Sequence, residues 1–501
     1  MASSIFYTIL RRAYHTRSRD VNRHNLFRRI SPLGDPDNNV ASVLDQWVEE
    51  GGKVKELELQ RIIRDLRSRK RFTHALQVSE WMNSKGHFSF SPAEHAVHLD
   101  LIGKTRGLES AESYFNNLAD QDKTEKTYGA LLNCYVREGL VDKSLFHVET
   151  MKALGFGSTA LTYNDLLCLY ANIGQLEKIP DVFAEMKANG VNPDNFSYRV
   201  CINSYGQRSD LKSMEMVLEE MESQPYITME WITYSMVSNF YIKAGLKEKA
   251  LICLKKCEEK VGKNGLGYNH LISLYASLGS KNQIMRLWDL SKSKRKKQPK
   301  LNKDYITILG SLVKLGELEE AEKLLMEWEV SCHRYDFRVP NILLIAYCQK
   351  GLIEKAEAML RCIVGKGKTP TPDSWSIVAA GYLGKPDMKK AFECMKEALS
   401  IQSENKGWRP KPTIISSILS WLGDNGSIEE VEAFASSFET KMLKSKEMYH
   451  ALIKAHIRFG KEVDGLLKKM KADEIPDDDE TKAILSSRQQ NNPNPNTGDD
   501  A

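Results

Sequence analysis

Apolar residues recur along this chain in short stripes broken by glycine, and the segment 160–194 shows the pattern most clearly. Tyr163, Leu166, Leu167 and Tyr170 stand three and four residues apart, the spacing that places side chains on one face of an α-helix. Gly174 follows, at the point where a residue just past a helix end adopts a left-handed conformation that costs glycine least. Ile179, Val182, Phe183 and Met186 then form a second stripe, which Gly190 and Pro193 bring to an end. The segment therefore predicts two antiparallel helices. A single hairpin of this size leaves part of both stripes uncovered, so neighbouring copies must stack.

Copies are present. Thr162-Tyr163-Asn164 aligns with Ser197-Tyr198-Arg199, Thr233-Tyr234-Ser235 and Gly267-Tyr268-Asn269, giving units that start near 160, 195, 231 and 265. Others start near 56, 92 and 125 upstream and near 302, 337, 372, 412 and 446 downstream, with the 372 unit stretched between Ser400 and Lys411. Gly139, Gly245, Gly279, Gly316, Gly351, Gly426 and Gly460 occupy the place of Gly174 in their units.

The Thr-Tyr-Asn opening, the turn glycine, a late methionine (Met151, Met186, Met221) and the closing Pro193-Asp194 resemble the pentatricopeptide repeat of the plain P class, of the plant mitochondrial type. A tetratricopeptide array has a similar period, but its W-x2-L-G-x2-Y signature is missing. The expected fold class is all-α: a right-handed superhelical α-solenoid of about twelve helix-turn-helix repeats of about 35 residues, spanning 56–478. Residues 31–55 are expected to form a capping helix region, and the polar stretch 479–501 a disordered tail.

Such a fold lines a concave groove with its first helices, and an extended single strand of RNA suits that groove, one base to a unit. The resemblance implies that the residue after the tyrosine and the last residue of the unit together select the base. Asn164 with Asp194 matches the pair associated with uracil, and Ser235 with Asn264 one associated with adenine. Asn269 suggests a pyrimidine, although its partner position is Leu301. Arg199 with Glu230, Ile306 with Asp336, Gly129 with Thr159 and Ala96 with Thr124 form no interpretable pair. Amides, hydroxyls and carboxylates suit the task because each donates to or accepts from a base edge without blocking its approach. Reading side chains of this kind are expected to face the groove, so that replacing Asn164 or Ser235 leaves stability unchanged.

Two residues before each tyrosine stands the side chain expected to wedge between bases: Leu161, Phe196, Ile232 and Leu266 in four successive units. Lys303, Arg338, Asp373, Thr413 and Glu447 follow, and are poor wedges. Stacking contributes ~1–3 kcal/mol per base, so phosphate contacts are also needed. Lys104, Arg137, Lys243 and Lys314, two residues before their turns, are the candidates, and the run Lys292, Lys294, Arg295, Lys296, Lys297, Lys300 is either a phosphate clamp or a solvated loop.

Charge sharpens this picture. The formal net charge is +5, but residues 1–30 carry seven arginines against the single acid Asp20, so the rest of the chain is close to neutral and grips nucleic acid only through local patches. The same Arg-rich, acid-poor opening, with Ile5, Phe6, Ile9, Leu10 and Ala13 spaced for one helical face, reads as a mitochondrial transit peptide removed between Tyr14 and Ser31. A plastid address is the main alternative, and a basic RNA-binding arm the other. Apolar runs such as Ile342–Cys348 fall short of the ~20 residues that span a bilayer.

Other chemistry finds little support. The nine cysteines form no CxxC pair; Cys253 and Cys257 stand one turn apart, as do His95 and His98, but neither pair has the further ligands a metal needs. Gly103-Lys104-Thr105 resembles the end of a phosphate loop, yet His98 stands where that loop needs glycine. No unit carries the H-x-E and P-C-x-x-C constellation of a zinc deaminase. The expectation is a monomeric, non-enzymatic RNA-binding protein without cofactor or metal, serving stabilisation, processing or translation of mitochondrial transcripts. The alternative is a scaffold or mitoribosome-associated subunit that holds protein or structured RNA without reading sequence.

Overall fold

The computed structural model describes residues 26–34, 38–84, 88–262, 264–294, 301–332, 334–385, 387–401, 408–437 and 445–490, and among these every regular element is helical. The chain divides into two compact units, Met1–Lys260 and Val261–Ala501. Each is a stack of helical hairpins, the α-solenoid arrangement.

In the N-terminal unit the helices Leu26–Ile30 and Val40–Glu49 precede six hairpins, whose first helices start at Glu56, Pro92, Glu125, Ala160, Asn195 and Trp231. In the C-terminal unit the first helices start at Gly265, Asn302, Pro340, Pro372, Pro412 and Lys446. Within a unit, first helices pack against their own second helices and against neighbouring first helices, as Ala160–Asn172 does. That double contact explains a difference in burial. In the first helix Ala160–Asn172 every residue from Thr162 to Tyr170 is buried, whereas its partner Ile179–Ala188 buries only Ile179, Val182, Phe183 and Met186. A helix enclosed on most sides shows no clean stripe; one that faces water on its outer side does.

In three units a tyrosine ties the two helices of the hairpin together. Tyr163, Tyr198 and Tyr305 are all but fully buried, and their hydroxyls reach Glu185 (3.3 Å), Glu220 (2.9 Å) and Glu327 (3.0 Å) on the second helix. Along the outer surface, lysines bridge to glutamates of the adjoining unit, as in Lys187–Glu220 (3.1 Å) and Lys292–Glu327 (2.8 Å). Exposed pairs of this kind contribute ~0–1 kcal/mol each. Gly174 has φ +78° and most of its counterparts are likewise left-handed. Gly426 is not: it is extended at φ −81°, ψ 163°, and its carbonyl accepts from the Arg458 guanidinium.

Both chain ends correct the sequence reading. The stretch expected to be a disordered tail from 479 begins with a helix, Asp479–Gln490, whose Thr481 and Ile484 are buried against the helix Lys446–Arg458. Its acidic start, Asp479 and Glu480, suits a helix N-terminus, so the polar character of this stretch is compatible with a helix. Residues 491–501 lie outside the described residues, as do 1–25 of the proposed address. Leu26 and Ile30, however, are fully buried in the N-terminal core, and Arg71 donates to the carbonyls of Ser31 (2.7 Å) and Leu33 (3.0 Å). The helix Leu26–Ile30, inside the 1–30 segment, is therefore part of the core.

Candidate nucleic-acid interface

The proposed reading side chains sit where one first helix meets the beginning of the next, and helix capping places them there. Asp194 caps the helix Asn195–Gln207: its Oδ1 accepts from the amides of Phe196 (2.8 Å) and Ser197 (2.9 Å), two of the donors a helix start leaves unpaired. Its other oxygen accepts from Asn164 Nδ2 at 3.2 Å, and Asn164 Oδ1 accepts from the Ser197 hydroxyl at 2.7 Å. The two residues that the resemblance assigns to uracil are thus brought together, with Ser197 as a third member the sequence reading missed.

The same arrangement recurs at places where no reading pair was recognised. Gln60 Nε2 donates to Glu94 Oε1 (2.8 Å), while Glu94 Oε2 accepts from the Ser91 amide (2.8 Å). Asn341 Oδ1 accepts from Ser374 (2.8 Å), whose hydroxyl lies 3.1 Å from that of Thr371. His450 Nε2 lies 2.8 Å from the Thr481 hydroxyl, which donates to Asp478 at 2.9 Å. In each case the members are the residue at the place of Asn164, the helix cap and the residue three beyond it. The S/T/D-x-x-E/S/T capping pattern at 91–94, 194–197, 371–374 and 478–481 carries that signal in the sequence. At Asn341 the sequence signal is weak, because Pro340 stands where the tyrosine is expected.

Asn269 donates to Asp304 Oδ1 at 2.8 Å, so the side chain it meets is not Leu301 but the residue three beyond it; Asp304 Oδ2 accepts from the Leu301 amide. Ser235 belongs to the N-terminal unit, and Asn264 to the C-terminal unit, where it caps Gly265–Ser277 by accepting from Leu266 (3.0 Å) and Gly267 (3.3 Å). Asn164, Ser235 and Asn269 are only 8%, 7% and 9% exposed. The expectation of freely groove-facing side chains is corrected by this burial: neighbouring first helices pack closely enough to enclose them.

Of the proposed wedges, Leu161 is 63% exposed and Phe196, Ile232 and Leu266 are partly buried, all in the first turn of their helices. Beyond Leu266 charge replaces apolar surface at two of the corresponding places: Arg338 pairs with Asp336 at 2.7 Å, and Asp373 accepts from Trp408 Nε1 at 2.8 Å.

The phosphate candidates separate into two kinds. Lys243 and Lys314 are exposed, the first 5.8 Å from the Phe240 ring and the second bonded to Ser277 Oγ at 3.0 Å. Lys104 and Arg137 are instead gathered with Arg67 around one buried carboxylate, Asp100, at 2.6, 3.7 and 2.7 Å respectively. Burial opposes the charge on Asp100, but Lys104 and Arg67 outweigh it and hold the carboxyl below the ordinary aspartate range. Gly103 makes room for this cluster, since a Cβ there would lie 2.6 Å from Cys134 Sγ and 2.9 Å from Arg137 Nη2. Lys292 is held by Glu327, and 295–300 of the basic run lie outside the described residues.

The pairs considered for metal have other partners. His98 is buried against Ser79 Oγ (2.8 Å), and burial, aided by His95 and Arg106, pushes its pKa down to about 4. His95 Nδ1 meets the Tyr114 hydroxyl at 2.7 Å. Cys253 and Cys257 are both buried, and burial raises the Cys257 thiol to about 12. Among the described residues no group of three or more His, Cys, Asp and Glu is placed to hold a metal, and no helix is long and apolar enough to cross a membrane.

Family models and known proteins resemble this chain over much of its length. The PPR repeat family model matches residues 158–207, and the PPR repeat model matches 126–156, 196–225, 305–332 and 339–367. A mitochondrial pentatricopeptide repeat-containing protein of Arabidopsis thaliana is 51% identical over 482 residues, covering 96% of this chain and 97% of its own. The large ribosomal subunit protein mL101 (rPPR4) of the same plant is 36% identical over 94% of this chain and 97% of its own. The crystal structure of the maize pentatricopeptide repeat protein PPR10 aligns with 93% of this chain and 70% of that one, at 18% identity and a TM-score of 0.48. With half its residues shared over nearly the full length of such a relative, and with a helical hairpin at each repeat, this chain belongs to the pentatricopeptide repeat family.

Proposed function

We propose that this protein is a mitochondrial RNA-binding repeat protein that holds single-stranded RNA along the row of its first helices, reading bases in its central units, and serves stabilisation, processing or translation of organellar transcripts. The Asn164–Asp194 pair carries this reading. It places an amide and a carboxylate 3.2 Å apart beside exposed Leu161, so one place offers both hydrogen-bonding groups for a base edge and an apolar surface on which a base can stack. The role is binding, not catalysis. The Arg-rich opening and relatives that bear a mitochondrial name support a mitochondrial location.

A second reading has its own support. The 36% identity to mL101 over nearly the whole chain, and the charged wedge places Lys303, Arg338 and Asp373, favour a ribosome-associated subunit that binds structured RNA or protein. Selection from a random single-stranded RNA pool at near-physiological salt separates the two. Enrichment of a core U-n-A followed by a pyrimidine supports base reading; no enrichment, together with co-sedimentation of the protein with mitochondrial large ribosomal subunits, supports the second.

A further inference from the structure

Arg199 and Glu230 occupy the two places that Asn164 and Asp194 occupy one unit earlier: the residue after the tyrosine, and the residue that precedes the next first helix. No base is assigned to them. Arg199 Nη1 donates to Glu230 Oε2 at 2.6 Å, and Arg199 is 6% exposed, as enclosed as Asn164 or Ser235 on either side. Two features distinguish the pair from a simple closure of the place. Arg199 Nε is buried without a hydrogen-bond partner. Glu230 is partly exposed and makes no side-chain cap to the helix Trp231–Lys243, so its second oxygen is not used there. The pair therefore keeps donors on one side and an acceptor on the other.

We propose that the 195 unit reads guanine through Arg199 and Glu230, an inference that rests on the base-reading function proposed above. Guanine presents two neighbouring acceptors, N7 and O6, that match the guanidinium fork, followed round its edge by the N1 and N2 donors that suit a carboxylate. Uracil offers one acceptor and one donor in the same order and fits half of the pair. Adenine and cytosine carry an exocyclic amine where guanine has O6, which sets donor against donor at Arg199. A buried N–H without an acceptor is costly, and an incoming acceptor at the guanidinium relieves that cost. The order of preference is guanine, then uracil, then adenine and cytosine.

The test uses the full chain and four short single-stranded RNAs that differ only in the base between the U at Asn164 and the A at Ser235. The guanine RNA is expected to bind about tenfold or more tighter than the adenine and cytosine RNAs, with uracil between, as a bidentate arginine contact implies. The double substitution Arg199→Asn with Glu230→Asp installs the pair already accommodated one unit earlier, and is expected to move the preference to uracil. Equal affinity for all four RNAs, while changes at the flanking U or A still weaken binding, overturns the guanine assignment and leaves base reading standing. Indifference at all three places overturns both. The four affinities of the unsubstituted protein decide the matter even if the double variant does not fold.

Discussion

Asn164 Nδ2 lies 3.2 Å from Asp194 Oδ2, and Asp194 is also the cap of the next first helix. A residue proposed for recognition is thus part of the hydrogen bonding that starts a helix, so the proposed reading predicts that recognition and stability change together at this place. Asn164→Ala removes a donor to Asp194 and an acceptor for Ser197 in a buried setting, with a cost of about 1–2 kcal/mol. Loss of uracil preference is expected to come with a lowered Tm, both measured on the same preparation. Unchanged stability would restore the expectation of a freely groove-facing side chain.

Asp100 has the opposite character. One carboxylate bonds both Arg67 and Lys104 and is faced by Arg137. Breaking a buried ion pair costs roughly 3–5 kcal/mol, and because these cations keep some contact with water the cost of Asp100→Asn is nearer about 2–3 kcal/mol. The carboxyl is depressed in the fold, so its contribution is complete above the ordinary aspartate range and is lost as pH falls through the depressed value. Urea unfolding across the acid range is expected to show a shallower loss of stability in the variant.

His98 gives a second pH dependence. It is neutral in the fold down to about 4, while the unfolded chain takes up a proton near 6.5. Below 6.5 the unfolded state binds the proton first, so stability falls as pH drops from 6.5 towards about 4 and this loss then levels off. The full span corresponds to about 3 kcal/mol. His98→Gln is expected to flatten the curve of unfolding free energy against pH in this window. An identical slope in the two proteins would rule out His98 as its source.

The buried positions of Leu26 and Ile30 limit where an N-terminal address is removed. The mature protein isolated from mitochondria is expected to begin at or before Leu26, as read by mass spectrometry of its N-terminal peptide. Deletion through Ser31 is expected to lower Tm by several degrees, because it removes two core side chains and the Ser31 carbonyl that Arg71 binds.

Much of the fold is legible in the chain itself. Apolar spacing and turn glycines locate the hairpins, because both signals act within a few residues: a helix face repeats every three to four positions, and a left-handed turn selects glycine on the spot. Gly426 shows the limit, since an arginine of the following unit helps set its surroundings and it is extended instead. The helix Asp479–Gln490 shows another, because its acidic composition hides the two side chains, Thr481 and Ile484, that it buries.

The sequence by itself determined the repeat, its period, the hairpin in each unit and the identity of the Asn164–Asp194 pair. Only the tertiary structure decided what those side chains meet. Asn164 bonds Ser197 across 33 residues and Asn269 bonds Asp304 across 35, and such partners are chosen by the stacking of one first helix on the next. Local periodicity says which face of a helix is covered, but it carries no term for the residue that another unit brings to it. For the same reason Lys104 and Arg137 read as phosphate candidates in sequence, and only the packing of three first helices gathered them around the buried Asp100.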